Sequence, residues 1–457
     1  MAVIHGRRIQ RTWEHTPEEV IADGLHRLRV RGSTYRLVLA IGAILFVIGT
    51  IAIIIGPLRS GFANRQTWTY VAVAFGYLMA TCASAPCLSV ATRLARGHWR
   101  RPVNRISELW AATLIIPLIL FFLLLLLQPS SSGRPSIWFG WPGSPWIWSS
   151  VLMIALVLTG YAFLYFSSLP DIAVARDHFE NGRRGWFTRL AGNWHGTDHQ
   201  WRTIERGVSY LGAFYVVLYV GTMTVIASDF ILSFIPGNNS AIFPAYYTIS
   251  SFQAGIALTI ITAAILRRWG GAAGYLDLDQ FFILGKLLLA FSLLYFYFSW
   301  TEFIVWWYGR TPREEALLKL LYFQTYFWPF AIAFVLNFVA PLLILMWTRV
   351  RRSITGPTVV AVLVLIGSLF TQIRLYSASF SPTNIYEHEL HSIPPPYFPG
   401  LIDLLILAGM AGGAVALMLL ALRVVAYPPI WEMIAGLRLR VTRRNKHGEV
   451  AVIGKPD

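Results

Sequence analysis

Ten blocks of roughly twenty mostly apolar residues run along the chain, separated by shorter polar segments. They are Tyr35–Pro57, Trp68–Ala91, Leu109–Leu127, Ile147–Ser168, Ser209–Phe234, Ala241–Leu266, Phe281–Tyr308, Leu321–Thr348, Thr358–Tyr376 and Pro399–Tyr427. About twenty helical residues cross a hydrocarbon layer, so each block predicts one span. Inside lipid an unpaired backbone amide or carbonyl finds no water, which makes every span a helix. The pattern predicts an all-α integral membrane protein of about ten transmembrane helices. It has a polar tail over residues 1–34, a membrane domain over 35–427 and a basic tail over 428–457.

Two polar segments carry structure of their own. Before the first block, Thr16 suits an N-cap, Pro17 the first helical turn and Glu19 the reciprocal position of a capping box. Ile21, Leu25 and Leu28 then recur at helical spacing, predicting a short amphipathic helix that docks or lies at the membrane surface. Between the last two blocks, Ser377–Phe398 lacks lysine and carries Glu387, His388, Glu389 and His391. Its Pro394–Pro396 run stiffens it into an extended form, predicting an ordered cap over the bundle.

Composition strengthens the membrane reading. Only 13% of the 457 residues are charged and 56% are hydrophobic, against about a quarter and about half in soluble domains. The net charge is +16. Its distribution argues against nucleic acid, because the arginines sit at block ends, where they set topology and meet anionic lipid. Arg7, Arg8, Arg11, Arg27, Arg29 and Arg31 precede the first block. Arg93, Arg96, Arg100, Arg101 and Arg105 fill the second loop, and Arg176, Arg183, Arg184, Arg189, Arg202 and Arg206 the fourth. Arg267 and Arg268 lie in the sixth, Arg349, Arg351 and Arg352 in the eighth, and Arg438, Arg440, Arg443, Arg444 and Lys446 in the final tail. The odd loops are poorer, with only Arg374 flanking the ninth. This bias predicts a multi-pass protein of a bacterial inner membrane with both termini cytoplasmic. The first 34 residues show no signal-peptide pattern.

Candidate chemistry resides in the ionisable residues inside or at the edge of apolar blocks. Each costs about 2.5–3.5 kcal/mol to insert, so it normally faces a bundle interior or a cavity. Asp229, Lys286, Glu302 and Asp403 stand out, with Glu108 where the third block begins and Asp277 and Asp279 just before the seventh. Asp229, Glu302 and Asp403 are expected in the external half, Lys286 and Glu108 in the cytoplasmic half. Carboxyl groups so placed suit proton transfer to and from a substrate that releases protons with electrons, such as a quinol. Helix-to-helix ion pairs and interfacial solvation are the plainer alternatives.

All ten histidines fall in tails or loops, and Cys82 and Cys87 form no CxxC or CxxCH pattern. The chain is therefore expected to bind no b-haem, c-haem or iron–sulfur cluster. His388 and His391 are two histidines of a polar loop, which is weak support for a metal. Of the 67 aromatic residues implied by 18 Trp, 20 Tyr and 29 Phe, most suit interface belts. Tyr295, Tyr297, Trp300, Trp306, Trp307 and Tyr308 are dense enough to line a flat ligand.

Four stretches in order resemble one family. In Ala227–Arg268, Asp229, Phe230 and Ser233 match an Asp-aromatic-x-x-Ser element that ends a span before a segment rich in Tyr and Phe. Gly285, Lys286 and Leu287, then Trp307, Tyr308, Gly309, Pro312 and Glu314, resemble the start and exit of the next family span. Leu336–Leu345 and Leu169–Asp177 resemble two further signatures. Together they resemble the NrfD-type membrane subunits of the polysulfide reductase superfamily, above all the second, smaller such subunit of bacterial alternative complex III. Ile283 and Leu284 replace an acidic residue the family often has, Glu302 stands where Gln is frequent, and Phe234–Gly237 departs from its acidic–Pro–aromatic continuation.

The resemblance implies two four-helix bundles with one peripheral helix on each side. It implies a membrane subunit of a quinol:electron-acceptor oxidoreductase that anchors the complex and contributes a quinone or proton pathway. Its partners would be a sister NrfD-like subunit, an iron–sulfur subunit, multihaem c-type cytochromes and lipids. On this reading Asp229, Ser233 and Glu302 form the external half of a proton path, and Lys286 with Asp279 or Glu108 the cytoplasmic half. A quinone or quinol would meet Asp229, Trp300, Tyr308 and Asp403. No catalytic residue is assigned. A secondary transporter and a purely structural scaffold are the rival readings.

Overall fold

The computed structural model describes residues 15–29, 32–134, 136–180, 183–438, 440–445 and 448–453. Among the described residues, ten helices are long and apolar enough to cross a membrane. Spans one to five are Ser33–Ser60, Arg65–Leu94, His98–Leu126, Trp146–His178 and Asp198–Phe234. Spans six to ten are Phe243–Arg268, Leu278–Gly309, Phe327–Leu345, Thr355–Phe380 and Leu401–Ala421. The protein is an all-α, multi-pass membrane protein, and each span coincides with one predicted block.

The ends differ from the hydropathy reading where polar helical turns leave the apolar layer. Span four continues through Pro170 to His178, and span five starts at Asp198 behind a Thr197–Gln200 capping box. Block eight was expected to run from Leu321 to Thr348. Instead a short helix, Pro312–Leu318, capped by Thr311, leads into a π-turn at Lys319–Phe323, and the span itself is Phe327–Leu345. Apolar character placed Leu321–Tyr326 in the span, but these residues pack as a corner around Tyr322 and Tyr326, both buried.

Spans two to five pack as one four-helix bundle and spans six to nine as a second. Span two joins them, touching spans six and nine. Its most apolar window is 94% buried, against 17% for span one, so span two is the hub and span one faces lipid. The two remaining helices do not flank the bundles one on each side. Spans one and ten pair with each other and lean on spans two and three. Small residues cause this: a Cβ on Gly409 would sit 2.4 Å from the Cα of Gly49, and one on Gly42 would sit 2.8 Å from the Gly412 carbonyl. In lipid, where apolar surface gives helices no reason to associate, such close backbone approach is what holds a pair.

Among the described residues four π-turns interrupt the helices, at Met79–Ala83, Ala227–Ile231, Lys319–Phe323 and Val335–Val339. Each frees backbone groups that must be satisfied by neighbours. At the first, the Tyr215 and Tyr219 hydroxyls of span five donate to the carbonyls of Ala83 (2.6 Å) and Met79 (3.1 Å).

One face, the chain-end face, carries the first and last described helices. The helix Pro17–Arg29 forms with the expected capping box, Thr16 N–H donating to Glu19 Oε2 and Glu19 N–H to Thr16 Oγ1. It buries Val20, Leu25 and Leu28 against a helix at Ile430–Arg438. The second tail, expected only to be basic, holds that helix and a hairpin of β1 (Arg440–Asn445) and β2 (Gly448–Ile453), with Arg440 opposite Ile453. The opposite, far face is strapped by residues 381–400. Thr383 O accepts from Arg65 (3.1 Å), Ser130 O from Tyr386 (3.3 Å) and Pro394 O from Thr325 (3.2 Å).

Candidate functional site

Asp229 lies in the π-turn of span five, fully buried. The turn rotates its carboxylate inward, where Trp138 Nε1–H donates to Oδ1 (2.7 Å) and Ser149 Oγ–H to Oδ2 (2.6 Å). Its carbonyl accepts from Gln128 (3.0 Å) and from Ser233 Oγ (2.9 Å). Arg134 stands beside this group, its Nη1 3.4 Å from Ser233 Oγ and its guanidinium over the rings of Phe139 and Phe234. Burial pushes Arg134 down to about 10, with Tyr386 and Asp229 opposing that shift, so it remains a cation at neutral pH.

Arg134 and Ser233 line a far-face cleft of about 260 Å³, together with Ser228, Asn238, Ser240 and Arg313. Ser240, on its other side, approaches the carboxylate of Glu302. Glu302 belongs to the second bundle and is 2% exposed. Its Oε2 accepts from Tyr322 (3.3 Å), while Oε1 has no hydrogen-bond partner among the described residues. Neither carboxylate lines the cleft; Ser233, which donates to the Asp229 carbonyl, and Ser240, which interacts with Glu302, stand between it and one buried acid of each bundle.

Behind Glu302 stands Arg374, which the sequence placed as a loop flank. Span nine runs on to Phe380, so Arg374 is inside the helix and 2% exposed. Its Nη2 donates to Tyr246 (3.2 Å), and its guanidinium covers the rings of Tyr322 and Phe330. Polar side chains continue from here into the second bundle. Tyr247 Oη meets Gln372 (3.1 Å) and Tyr376 (3.1 Å). Gln253 Nε2 donates to Ser292 (2.8 Å) and to the Asn337 carbonyl (2.7 Å), and Asn337 Nδ2 to Thr371 (3.2 Å). From Glu302 to Ser292 is ten helical residues, about 15 Å.

A separate cluster fills the face that carries the chain ends. Glu108 is fully buried, accepting at Oε1 from Ser89 (2.5 Å) and Arg93 (2.6 Å) and at Oε2 from Ser167 (2.8 Å). Arg105 Nη2 donates to Asp171 (2.9 Å), whose other oxygen accepts the Trp431 amide (2.9 Å). Glu432, from the helix Ile430–Arg438, pairs with Arg93 and Arg100 (3.1 Å), and its carbonyl accepts from Arg101. The sequence treated Arg93, Arg100, Arg101 and Arg105 as loop charges that set topology. Here they are counterions, and Glu108 closes an ion-pair network between spans two, three and four and the last helix.

The other predicted site residues disperse. Lys286 points outward, its Nζ 4.1 Å from the Phe282 ring centre, and Asp279 is exposed. Neither reaches Glu108, so the expected cytoplasmic half of the path does not assemble from these three. Asp403 caps the first turn of span ten, accepting from Gly400 N–H (2.9 Å) and Tyr397 (3.2 Å). Trp300 is half exposed and Tyr308 is 77% exposed. Trp300 belongs instead to a stack along the outside of span seven, between Phe296 and Phe303 (5.9 and 5.5 Å). Of the four residues expected to meet a quinone, Asp229 and Asp403 are buried in spans five and ten and Trp300 and Tyr308 are exposed on span seven, and no hydrogen bond or ring contact joins any two of them among the described residues. Among the described residues no three His, Cys, Asp or Glu side chains are grouped to hold a metal ion.

Arg374, Arg105, Asp171 and Glu432 are among the buried charged residues sequence reasoning missed. Asp171 had a signal, since it falls in the Leu169–Asp177 stretch, but it was read as loop. Comparison with known proteins adds no family: no protein-family model matches the chain, and no curated protein sequence matches it.

Proposed function

We propose that this chain is a membrane subunit of a quinol:electron-acceptor oxidoreductase of the alternative complex III type, related to the NrfD-like subunits. It anchors iron–sulfur and multihaem cytochrome subunits beside a sister membrane subunit and contributes a proton route. One observation supports this most: a single polar cleft on the far face is lined by Ser233, bonded to the Asp229 carbonyl of one bundle, and by Ser240, which interacts with Glu302 of the other. Carboxyl groups at lipid depth that are linked to an aqueous cleft through hydroxyls can exchange protons with it.

In this reading the face with both chain ends is cytoplasmic and the far face periplasmic, in keeping with the arginine bias of the even loops. Glu302 holds the proton. Tyr322 orients its Oε2, and the Arg374 guanidinium covers the ring of the same Tyr322. Ser240 leads to the cleft. Asp229, tied by Trp138 and Ser149, holds a second proton position beside Ser233 and Arg134. Quinol oxidation itself is left to the sister subunit, because the residues expected to meet a quinone here do not converge.

The test is purification followed by a proton count. The chain is expected to co-purify with multihaem cytochrome and iron–sulfur subunits. In that complex Glu302→Gln is expected to slow proton release to the far side by about a hundredfold, with assembly intact. A chain that purifies alone and transports a solute, or a Glu302→Gln complex with unaltered proton release, overturns the proposal.

A further inference from the structure

A groove of about 250 Å³ opens where spans one, six and ten meet the face that carries the chain ends. Its walls are aliphatic and belong to the lipid-facing surface: Val38 of span one, Ile265 and Leu266 of span six and Leu419 of span ten line it. Val38 is 39% and Ile265 46% exposed. Its inner end is polar. Tyr427, 4% exposed, carries a hydroxyl with no hydrogen-bond partner among the described residues. Arg27 lies within electrostatic reach of Tyr427 and has a buried Nη1 that is likewise unpaired. The other end of that guanidinium is fixed, Nη2 donating to the Gly271 carbonyl (2.9 Å) and lying 3.9 Å from Asp23.

Two more arginines border the rim. Arg423 Nε donates to Tyr35 (3.3 Å), and Arg268 lies over the ring of Trp269. Both Tyr35 and Trp269 line the groove. The charge at its mouth is therefore positive, with Asp23 the opposing carboxylate. A buried unpaired hydroxyl is costly unless something completes it. The ligand that meets all these surfaces has an anionic, hydrogen-bond-accepting head and an aliphatic tail.

We propose that this groove is a binding site for one anionic phospholipid, its phosphate taken by Arg27 Nη1 and the Tyr427 hydroxyl and one acyl chain laid along Val38, Ile265 and Leu419. Basic pockets between helices at interfacial depth bind such head groups. The site is independent of any electron-transfer role.

The experiment measures retention of phosphatidylglycerol and of phosphatidylcholine on the purified full chain, or on its complex, by native mass spectrometry after delipidation and titration. Wild type is expected to keep one phosphatidylglycerol in preference to phosphatidylcholine. Arg27→Gln is expected to weaken retention about fivefold, the loss of one guanidinium contact. Arg27 also holds Gly271, so Tyr427→Phe is the milder variant. It keeps the ring and removes one hydrogen bond, again about fivefold. Equal retention of the two lipids overturns the proposal. So does unchanged phosphatidylglycerol binding in a folded Tyr427→Phe protein. Complete displacement of the lipid by millimolar inorganic phosphate would mean a free-phosphate site and overturns it as well.

Discussion

Glu302 and Arg374 share one buried pocket and interact through space, yet no hydrogen bond joins them. Glu302 Oε1 and Arg374 Nε and Nη1 are all unpaired, while Tyr322 and Tyr246 hold the opposite ends of the two groups. The charges are near enough to stabilise each other and too loosely tied to lock.

This arrangement predicts strong non-additivity. Glu302→Gln leaves Arg374 as an uncompensated buried cation, and Arg374→Met leaves Glu302 as an uncompensated acid. The double variant removes both problems. Thermal unfolding in detergent is expected to show a coupling of about 1–3 kcal/mol between the two sites, with the double variant more stable than the sum of the singles. Simple additivity would place the two groups in separate environments.

Asp229 makes a different demand. Both of its oxygens accept, from Trp138 and Ser149, and an amide offers only one acceptor. Asp229→Asn is expected to cost about 2 kcal/mol of stability and to lower proton release in the assembled complex. Lys286→Gln, by contrast, alters a side chain on the outer surface and should leave turnover and melting unchanged. Wild-type proton release in Asp229→Asn would take that carboxyl group out of the route.

The acid network at the chain-end face carries a pH prediction. Burial alone would raise Glu432, but Arg93 and Arg100, with Arg105 and Arg101 beyond them, outweigh it and hold the carboxyl below the usual glutamate range. A depressed folded value contributes stability in full above the unfolded value, about 4.3, and loses it as pH falls through the folded value. Docking of the helix Ile430–Arg438 is therefore expected to be constant from pH 7 to about 5 and to weaken below about 4. Glu432→Gln is expected to destabilise by about 3 kcal/mol at neutral pH and to flatten the acid limb. Limited proteolysis of residues 430–453 across that range, in both proteins, reads it directly.

Spans one and ten give the fourth prediction. A Cβ at Gly409 would meet Gly49 at 2.4 Å, so Gly409→Ala should cost about 1–3 kcal/mol and loosen the pair. Gly185→Ala adds a Cβ with nothing within 4 Å and should be neutral. Cysteine crosslinking of spans one and ten separates loosening of that pair from global unfolding.

The ten spans were legible because apolar length is a one-dimensional property, and lipid enforces it. Azimuth around a helix is not written so plainly. Lys286 lies within an apolar block yet faces outward over Phe282, as a long side chain can at a membrane edge. Arg374 lay two residues from the end of its block and was read as a flank, but six further helical residues follow it, which places it inside. Both were judged by position along the chain, and rotation decided each. Asp229 and Ser233 were found through a local motif, where four residues of separation fix their contact. Arg93 and Glu432 could not be, because 339 residues separate them and no periodicity links the two. The pairing of spans one and ten had a trace in Gly42, Gly49, Gly409 and Gly412, spaced for close contact but not naming each other.

That long separation shapes biosynthesis. Arg93, Arg100 and Arg101 are synthesised early, while Glu432 is translated only after the last span. Until then Glu108 alone faces Arg93, and Arg100 and Arg101 lack their partner on the last helix. Residue 432 is thus a latch that order of synthesis places last, joining the final helix to spans two and three only when all ten have been made.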